Sequence, residues 1–254
     1  QKFRLMKDEF KALEEAGIVR RSKSPWASPL HVVPKSDGTW RPCGDYRRLN
    51  NITVPDRYPV PRLADFARLL QGRTVFSKID LVKAYHQVPI RRGDVQKTAI
   101  TTPFGSFEYL RMPFGLKNAS QIFQRLIDVV TRELPNVFSY LDDLLVMSSS
   151  LEEHEKDLRA LFQTLQDHGL TINRDKCVLG VPELQFLGHH IDQEGIQPLP
   201  SRVEAISNMT QPTTVKELQS FIGAVIFYHR FVAGLSRIMV PLHRAVGGLK
   251  GAIK

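Results

Sequence analysis

The first run of the chain alternates at helical spacing. In residues 2–16, Phe3, Met6, Phe10 and Leu13 fall on one face, and Gly17 closes the helix. The pattern then turns Pro-rich, in SPWASPLHVVPK, and Asp37-Gly38 marks a hairpin turn between HVVPK and TWRPCGDY. Pro34 and Pro42 lack the N–H that a ladder needs, which confines these strands to sheet edges or interrupted pairing. VPDRYPVPRL holds too many prolines for a regular element, whereas PRLADFARLLQG predicts a short helix ending at Gly72.

TVFSKIDL is a strand candidate, and KTAITT and SFEYLRM predict a second hairpin turning at Pro103-Phe104-Gly105. Residues 119–134 predict a helix with Ile122, Phe123, Leu126, Ile127, Val130 and Leu134 on one face and Pro135 ending it. VFSY and LLVM flank a Leu-Asp-Asp turn as a third hairpin. Ser150, with Glu153 three residues on, reads as a capping box. It opens a helix whose buried face is Leu151, Leu158, Leu161, Phe162 and Leu165, ending at Gly169. LTIN and LQFLGHHI read as two further short strands. From about residue 199 the pattern turns helical, in VEAISNM and VKELQSFIGAVIFYHRFV, punctuated by Pro198, Pro200 and Pro212. The order predicts an α+β fold of antiparallel hairpins with helices beside them, and a boundary near 198.

Composition narrows the class. With 254 residues, 42% of them hydrophobic and 24% charged, the chain can bury a sizeable core, and its composition argues against disorder as its main state. Its 35 Lys and Arg outnumber 26 Asp and Glu. The resulting +9 points to a polyanionic partner, with plain solubility as the other reading. Cys43 and Cys177 are too few and too far apart for a disulfide framework or a zinc site, so both read as free thiols in a reducing compartment. No apolar run approaches the ~20 residues that span a bilayer. The chain begins at Gln1 with no visible signal peptide, which reads as a piece excised from a longer polypeptide.

Chemistry enters at FSYLDDLLVM. Asp142 and Asp143 sit inside one of the most apolar runs of the chain, where an unpartnered carboxylate costs several kcal/mol or is neutralised. A hairpin turn brings both to one end of a buried sheet. Asp80, at the end of the apolar run VFSKID, is the candidate third acid. Three carboxylates suit Mg²⁺, and two such ions ~3.5–4 Å apart activate a hydroxyl and stabilise a leaving oxygen. From spacing alone a solvated Asp turn stays open as the alternative, with the apolar flanks weighing against it.

Tyr140-Leu141-Asp142-Asp143 between apolar strands resembles the signature of reverse transcriptases. FSKIDLVKAYHQVPI resembles the first palm motif and RMPFGLKNASQIFQ the second. SPWASPLHVVPKSDGTWRPCGDYRRLN is similar to the fingers hairpin, INRDKCVL and LQFLGHHI to the motifs closing the palm, and LPSRVEAISNMTQPTTVKELQSFIGAVIFYHRFV to the thumb and the connection after it. The wording is nearest to gypsy-type LTR retrotransposons. The resemblance implies a right-hand polymerase. Residues 1–79 would be fingers with the start of the palm, 80–198 the palm with a fingers insertion around 91–110, and 199–254 the thumb and the start of the connection. It implies an RNA-directed DNA polymerase extending a primer on an RNA or DNA template. No ribonuclease H module is expected in this chain.

The same resemblance implies the roles. Asp80 and Asp142 would be the main ligands of two Mg²⁺ ions, with Asp143 a weaker one and Leu81 beside them; Mn²⁺ suits the same oxygens. The main-chain N–H groups of Leu81, Val82, Lys83, Ala84 and Tyr85 would cradle the triphosphate of a dNTP. Lys35 and Arg41 would grip it from the fingers, Lys as a mobile point charge and Arg as a fixed fork. Tyr85, which on its own reads as a core tyrosine, would exclude a 2′-OH. Phe114, where lentiviral enzymes carry Gln, and Gly115 would line the nucleotide and template pocket. Lys176 would protonate the leaving pyrophosphate or be an ordinary surface lysine. Leu187, Gly188 and His189 would form the primer grip. His189-His190 has no Cys or Glu spaced for a transition metal, so both read as strand-edge histidines. Implied partners are an RNA template, a DNA or RNA primer, their RNA–DNA hybrid and dNTPs, and no membrane; location would be cytoplasmic, in a virus-like particle, or nuclear. Three competing readings remain. One is a palm polymerase making RNA, which Tyr85 discriminates. The second is a retired retroelement sequence that only binds nucleic acid, which the intact acids argue against. The third is a structural or partner-binding domain with no nucleic-acid role, which the ordered motif set argues against.

Overall fold

The structure, a computed structural model, describes residues 2–34 and 40–251. Its first part runs α1 (Lys2–Glu15), β1 (Val19–Arg21), β2 (Ser28–Pro34), β3 (Trp40–Gly44), α2 (Arg47–Ile52) and α3 (Leu63–Leu69). There follow β4 (Val75–Asp80), β5 (Ile100–Thr102), β6 (Gly105–Tyr109), α4 (Ala119–Val130), β7 (Val137–Tyr140), β8 (Asp143–Ser148) and α5 (Leu151–Asp167). The last part is β9 (Val178–Val181), β10 (Leu184–Phe186), β11 (His189–Asp192), β12 (Gly195–Pro198), α6 (Pro200–Ser207), α7 (Val215–Phe227) and α8 (Leu235–Gly251).

Three sheets organise these elements: β1-β6-β5-β2-β3, β7-β8-β4-β9 and β10-β11-β12. In the first, Phe10 and Leu13 of α1 pack on Val19, Ile100, Phe107 and Tyr109. Proline explains its edge. Pro42 lies on the terminal strand β3, and Pro34 lies beyond Ser28–Pro29, the stretch of β2 that pairs with β5. The turn Asp37-Gly38 lies outside the described residues.

The four-stranded sheet answers why two acids sit in so apolar a run. Strand side chains alternate between faces. Ile79, Leu144 and Val146 pack with Phe123, Ile127, Leu161 and Leu165 of α4 and α5. Phe76, Leu145 and Met147 pack on the other face with Phe66 of α3 and Leu70 just after it, and with Leu184, Phe186 and Ile191 of the small sheet. A strand covered on both faces reads as a continuous apolar run.

Inside the first of these layers lies one polar network. Ser77 of β4 and Ser148 of β8 bracket the His154 ring, at 2.6 Å from Nε2 and 2.8 Å from Nδ1. Ser148 Oγ donates to Asp157 (2.6 Å), so it accepts from His154 Nδ1–H. With Nδ1 protonated in the neutral ring, Nε2 accepts from the Ser77 hydroxyl, whose oxygen accepts from the Gly180 N–H (2.8 Å). One neutral tautomer satisfies every group and ties β4, β8, β9 and α5 together.

Several boundaries differ from the sequence reading. α4 ends at Val130, not 134, because Thr131 caps it by bonding the Ile127 carbonyl. Leu151 is exposed at the open end of α5, and so is Ile122 on α4. Only half of the capping box forms: Ser150 Oγ accepts from Glu153 N–H, while the Glu153 carboxylate bonds Ser149 instead. LTIN makes a single bridge, Ile172 to Leu81, rather than a strand. LQFLGHHI is two strands joined by a tight turn, with Leu187 at φ +49° and Gly188 at φ +76°. Tyr228 ends α7, and His229–Phe231 is a short 3-10 turn leading toward α8. The helices α7 and α8 share a small core of Ile222, Leu235 and Met239. Among the described residues, no helix is long and apolar enough to cross a membrane.

Candidate active site

Register places the acids. β4 and β8 run antiparallel with Asp80 directly opposite Asp143. β7 returns to β8 through a two-residue loop, Leu141-Asp142, because Tyr140 pairs with Asp143. All three predicted acids therefore gather at one end of the buried sheet. Leu141 sits at φ +52°, a left-handed conformation that costs a branched residue on the order of 1–3 kcal/mol. Its N–H donates to Gln124 Oε1 at 2.8 Å.

The electrostatics follow from that crowding. Burial raises the Asp142 carboxyl above the ordinary range, and the charges of Asp143 and Asp80 push it further up, against a backbone hydrogen bond and Lys78. The side chain still opens to solvent at the turn, while protein mass around it strips away part of its water. Lys78 Nζ lies 3.0 Å from Asp143 Oδ1, so a protein cation already answers part of the charge. The sequence reading assigned that task to metal alone. The donor set consists of carboxylate oxygens, the chemistry that Mg²⁺ and Mn²⁺ prefer. In this arrangement the side chains do not yet converge: among the described residues no three His, Cys, Asp or Glu side chains form a group fit to hold an ion.

Around the acids the predicted residues divide. Leu81 is buried and bridges to Ile172. The Val82 N–H already donates to the Thr171 carbonyl at 3.0 Å, so it joins an anion cradle only by giving up that bond. Lys83 adopts φ +43° and pairs with Glu9 of α1 at 3.7 Å. Ala84 belongs to the core. Tyr85 is half-buried, its ring edge-on to Phe114 (5.1 Å between centroids) and Phe123 (5.6 Å), with its hydroxyl 3.2 Å from Ser120 Oγ. Burial raises its phenol further, which keeps it neutral. Gly115 sits at φ +90°, a backbone conformation that L side chains rarely adopt, so glycine suits the position although an added Cβ would meet the Gly44 carbonyl only at an ordinary 3.5 Å.

Arg41 lies on β3 opposite Val33, where the structure describes its backbone. Lys35 lies outside the described residues. Lys176 is exposed, three residues past Asn173, whose N–H donates to the Asp80 carbonyl at 2.8 Å. Leu187, Gly188 and His189 form the β10–β11 turn. His189 is fully buried, not an edge residue: its Nδ1 donates to the Leu187 carbonyl (2.9 Å), and its ring stacks on Phe227 at 5.2 Å beside Tyr228 and Phe231. Burial lowers its imidazole below the usual histidine value. His190 faces Glu183 at 3.4 Å and Asp192 at 3.5 Å.

Sequence reasoning missed Lys78, Gln124 and Asp128. Lys78, between Ser77 and Ile79 in β4, carries no mark in the sequence, and the trace of Gln124 is a polar residue among the buried positions of α4, beside Phe123 and Ile127.

Comparison with known proteins fits this geometry. The family description "Reverse transcriptase (RNA-dependent DNA polymerase)" matches residues 33–191, more than half of the chain. The chain is 38% identical over 249 residues to the retrovirus-related Pol polyprotein from transposon opus of Drosophila melanogaster, covering 95% of this chain and 25% of that polyprotein. It is 40% identical over 233 residues to the Pol polyprotein from transposon 297 of the same fly, covering 89% and 22%. With the Tf2-3 polyprotein of Schizosaccharomyces pombe identity is 36% over 244 residues, covering 95% and 18%. The chain thus spans a quarter or less of these relatives. A foamy viral protease-reverse transcriptase in complex with double-stranded DNA superposes with TM-score 0.88 at 29% identity, over 93% of this chain and 42% of that one. The same viral enzyme with an RNA/DNA hybrid gives 0.86 at 27% identity, over 97% and 33%. Right-hand polymerase architecture, the acid-bearing turn and the family match agree: the chain belongs to the reverse transcriptase family.

Proposed function

We propose that this chain is the polymerase core of a retrotransposon Pol polyprotein and extends a primer 3′-hydroxyl with dNTPs on an RNA or DNA template. The observation that carries this reading is the cross-strand pairing of Asp80 with Asp143, with Asp142 in the adjoining turn. In the proposed division, residues 1–79 are fingers with the start of the palm. Residues 80–198 are the palm, with a fingers insertion around 91–110, and 199–254 are the thumb and start of the connection. Solved relatives in complex with double-stranded DNA and with an RNA/DNA hybrid support nucleic acid as partner.

Reverse transcriptases generally depend on divalent metal, and Asp80, Asp142 and Asp143 would hold two Mg²⁺ ions. When bound, the ions supply positive charge at the attacking hydroxyl and at the leaving pyrophosphate. The remaining work belongs to the chain. Crowding of three carboxylates at one strand end raises the local demand for cations, and Lys78 steadies Asp143 meanwhile. Tyr85, braced by Phe114, Phe123 and Ser120, presents a fixed ring where a ribose 2′-OH would need room. The β10–β11 turn, anchored on the aromatic residues Phe227 and Tyr228 at the end of α7, offers the primer strand a firm ledge.

Primer extension tests the proposal. With an RNA template, a DNA primer, dNTPs and Mg²⁺, the chain lengthens the primer to the template end. Binding of the hybrid with no extension, with or without the downstream polyprotein, would instead identify a catalytically retired nucleic-acid-binding domain.

A further inference from the structure

The turn that carries Asp142 is held from outside its hairpin as well as within it. Leu141 occupies the left-handed region, where a branched side chain is disfavoured, in the two-residue loop that the Tyr140–Asp143 pair closes. Its N–H is taken by a side chain from another element, Gln124 of α4, at 2.8 Å. Gln124 is completely buried. An N–H only donates, so Gln124 must present Oε1 to Leu141 and aim Nε2 the other way. There Nε2 donates to Asp128 Oδ1 at 2.7 Å and to the Ser139 carbonyl at 3.2 Å. Asp128 in turn accepts from Ser139 Oγ (3.1 Å) and, through Oδ2, from the Tyr58 hydroxyl at 2.7 Å. Tyr58 belongs to the Pro-rich segment, which Arg125 fixes to α4 through Asp56 at 2.7 Å.

We propose that Gln124 and Asp128 are positioning residues for nucleotidyl transfer, a buried relay that fixes the Leu141–Asp142 turn and so aims the Asp142 carboxylate. The proposal rests on the polymerase reading. The direction of every hydrogen bond in the relay is forced. Asp128, a carboxylate, orients the Gln124 amide; the amide then has one oxygen left, and it faces Leu141. A residue that merely filled space between α4 and β7 would need no polarity.

That polarity supplies the test. Gln124→Glu keeps an acceptor for Leu141 but sets a second carboxylate against Asp128. Asp128→Asn in the same chain restores a donor facing the introduced carboxylate, the Asn oxygen still accepts from Tyr58, and the Ser139 hydroxyl, 3.5 Å from the Gln124 amide nitrogen, turns to donate to the introduced carboxylate. Two readouts are made on wild type, the single variant and the double variant. The first is amide hydrogen exchange at Leu141, which needs no activity. The expected result is exchange about tenfold or more faster in Gln124→Glu and restored in the double variant. The second is single-nucleotide extension on an RNA template, with kcat lowered about tenfold or more in Gln124→Glu, KM for dNTP little changed, and kcat largely recovered in the double variant. Unchanged exchange in the single variant overturns the relay, whether or not the chain polymerises. Faster exchange with unchanged kcat overturns its role in positioning. Loss that the double variant fails to recover overturns the polarity argument. A wild type that does not extend defeats the polymerase reading instead, and the exchange result still decides the relay.

Discussion

Tyr85 shows how much depends on one residue's surroundings. A tyrosine in an apolar stretch is ordinarily core, and here its ring does touch Phe123 of the core. Its hydroxyl end lies 3.2 Å from Ser120 Oγ, and Phe114 supports it edge-on, so neighbours brace the ring at its edge and at its tip. On the proposed reading, Tyr85→Ala admits rNTPs, improving rNTP incorporation relative to dNTP by at least about tenfold. Tyr85→Phe keeps the discrimination, because the ring and not the hydroxyl fills the space. Competition between labelled rNTP and dNTP in primer extension measures both; a Tyr85→Ala enzyme as selective as wild type would remove the residue from sugar recognition.

At the scale of elements, the His154 network sets a pH dependence of stability. Burial lowers this imidazole below its ordinary 6.5, against the pull of Asp157 and Glu153. The unfolded chain takes up a proton near 6.5 and the folded chain does so only at lower pH. Stability is therefore level above that value and falls as pH drops below it. His189 contributes with the same sign. Urea melts from about pH 8 to about pH 5 should show this acid-side loss in wild type and a shallower loss in His154→Gln. Equal slopes would mean that His154 does not stay neutral in the fold. The elements themselves were largely legible. Helical spacing marked α1, α4 and α5, because each buries one stripe against a sheet. Hairpins were marked by turn residues. What escaped notice was short or tertiary: β9 and β12 are brief strands whose existence depends on a partner, and α8 carries Pro241 inside its helical run. The LQFLGHHI segment looked like one strand because Leu187 at positive φ gives no sequence signal.

Across the whole molecule, the acids of the site were readable because their apolar flanks made them conspicuous. The supports were not. Lys78, Gln124 and Asp128 reach the site only through strand register and helix packing, which spacing along one chain does not reveal. Charge acts at this scale too. A net +9 favours a groove that follows phosphate backbones, with affinity set by counterion release. Binding of an RNA–DNA hybrid is expected to weaken by about a thousandfold or more between roughly 50 and 200 mM salt if about six or more phosphates are contacted. Titrations at several salt concentrations check this, and a flat dependence would argue against backbone recognition.

On the proposed reading, Asp80, Asp142 and Asp143 form one metal-loaded polymerase site. Single-turnover primer extension on an RNA template, wild type beside Asp142→Asn, tests it most directly, with hybrid affinity measured for both. The account predicts extension by wild type, its loss in the variant by several orders of magnitude, and equal hybrid binding. Extension by the variant at close to the wild-type rate would contradict it.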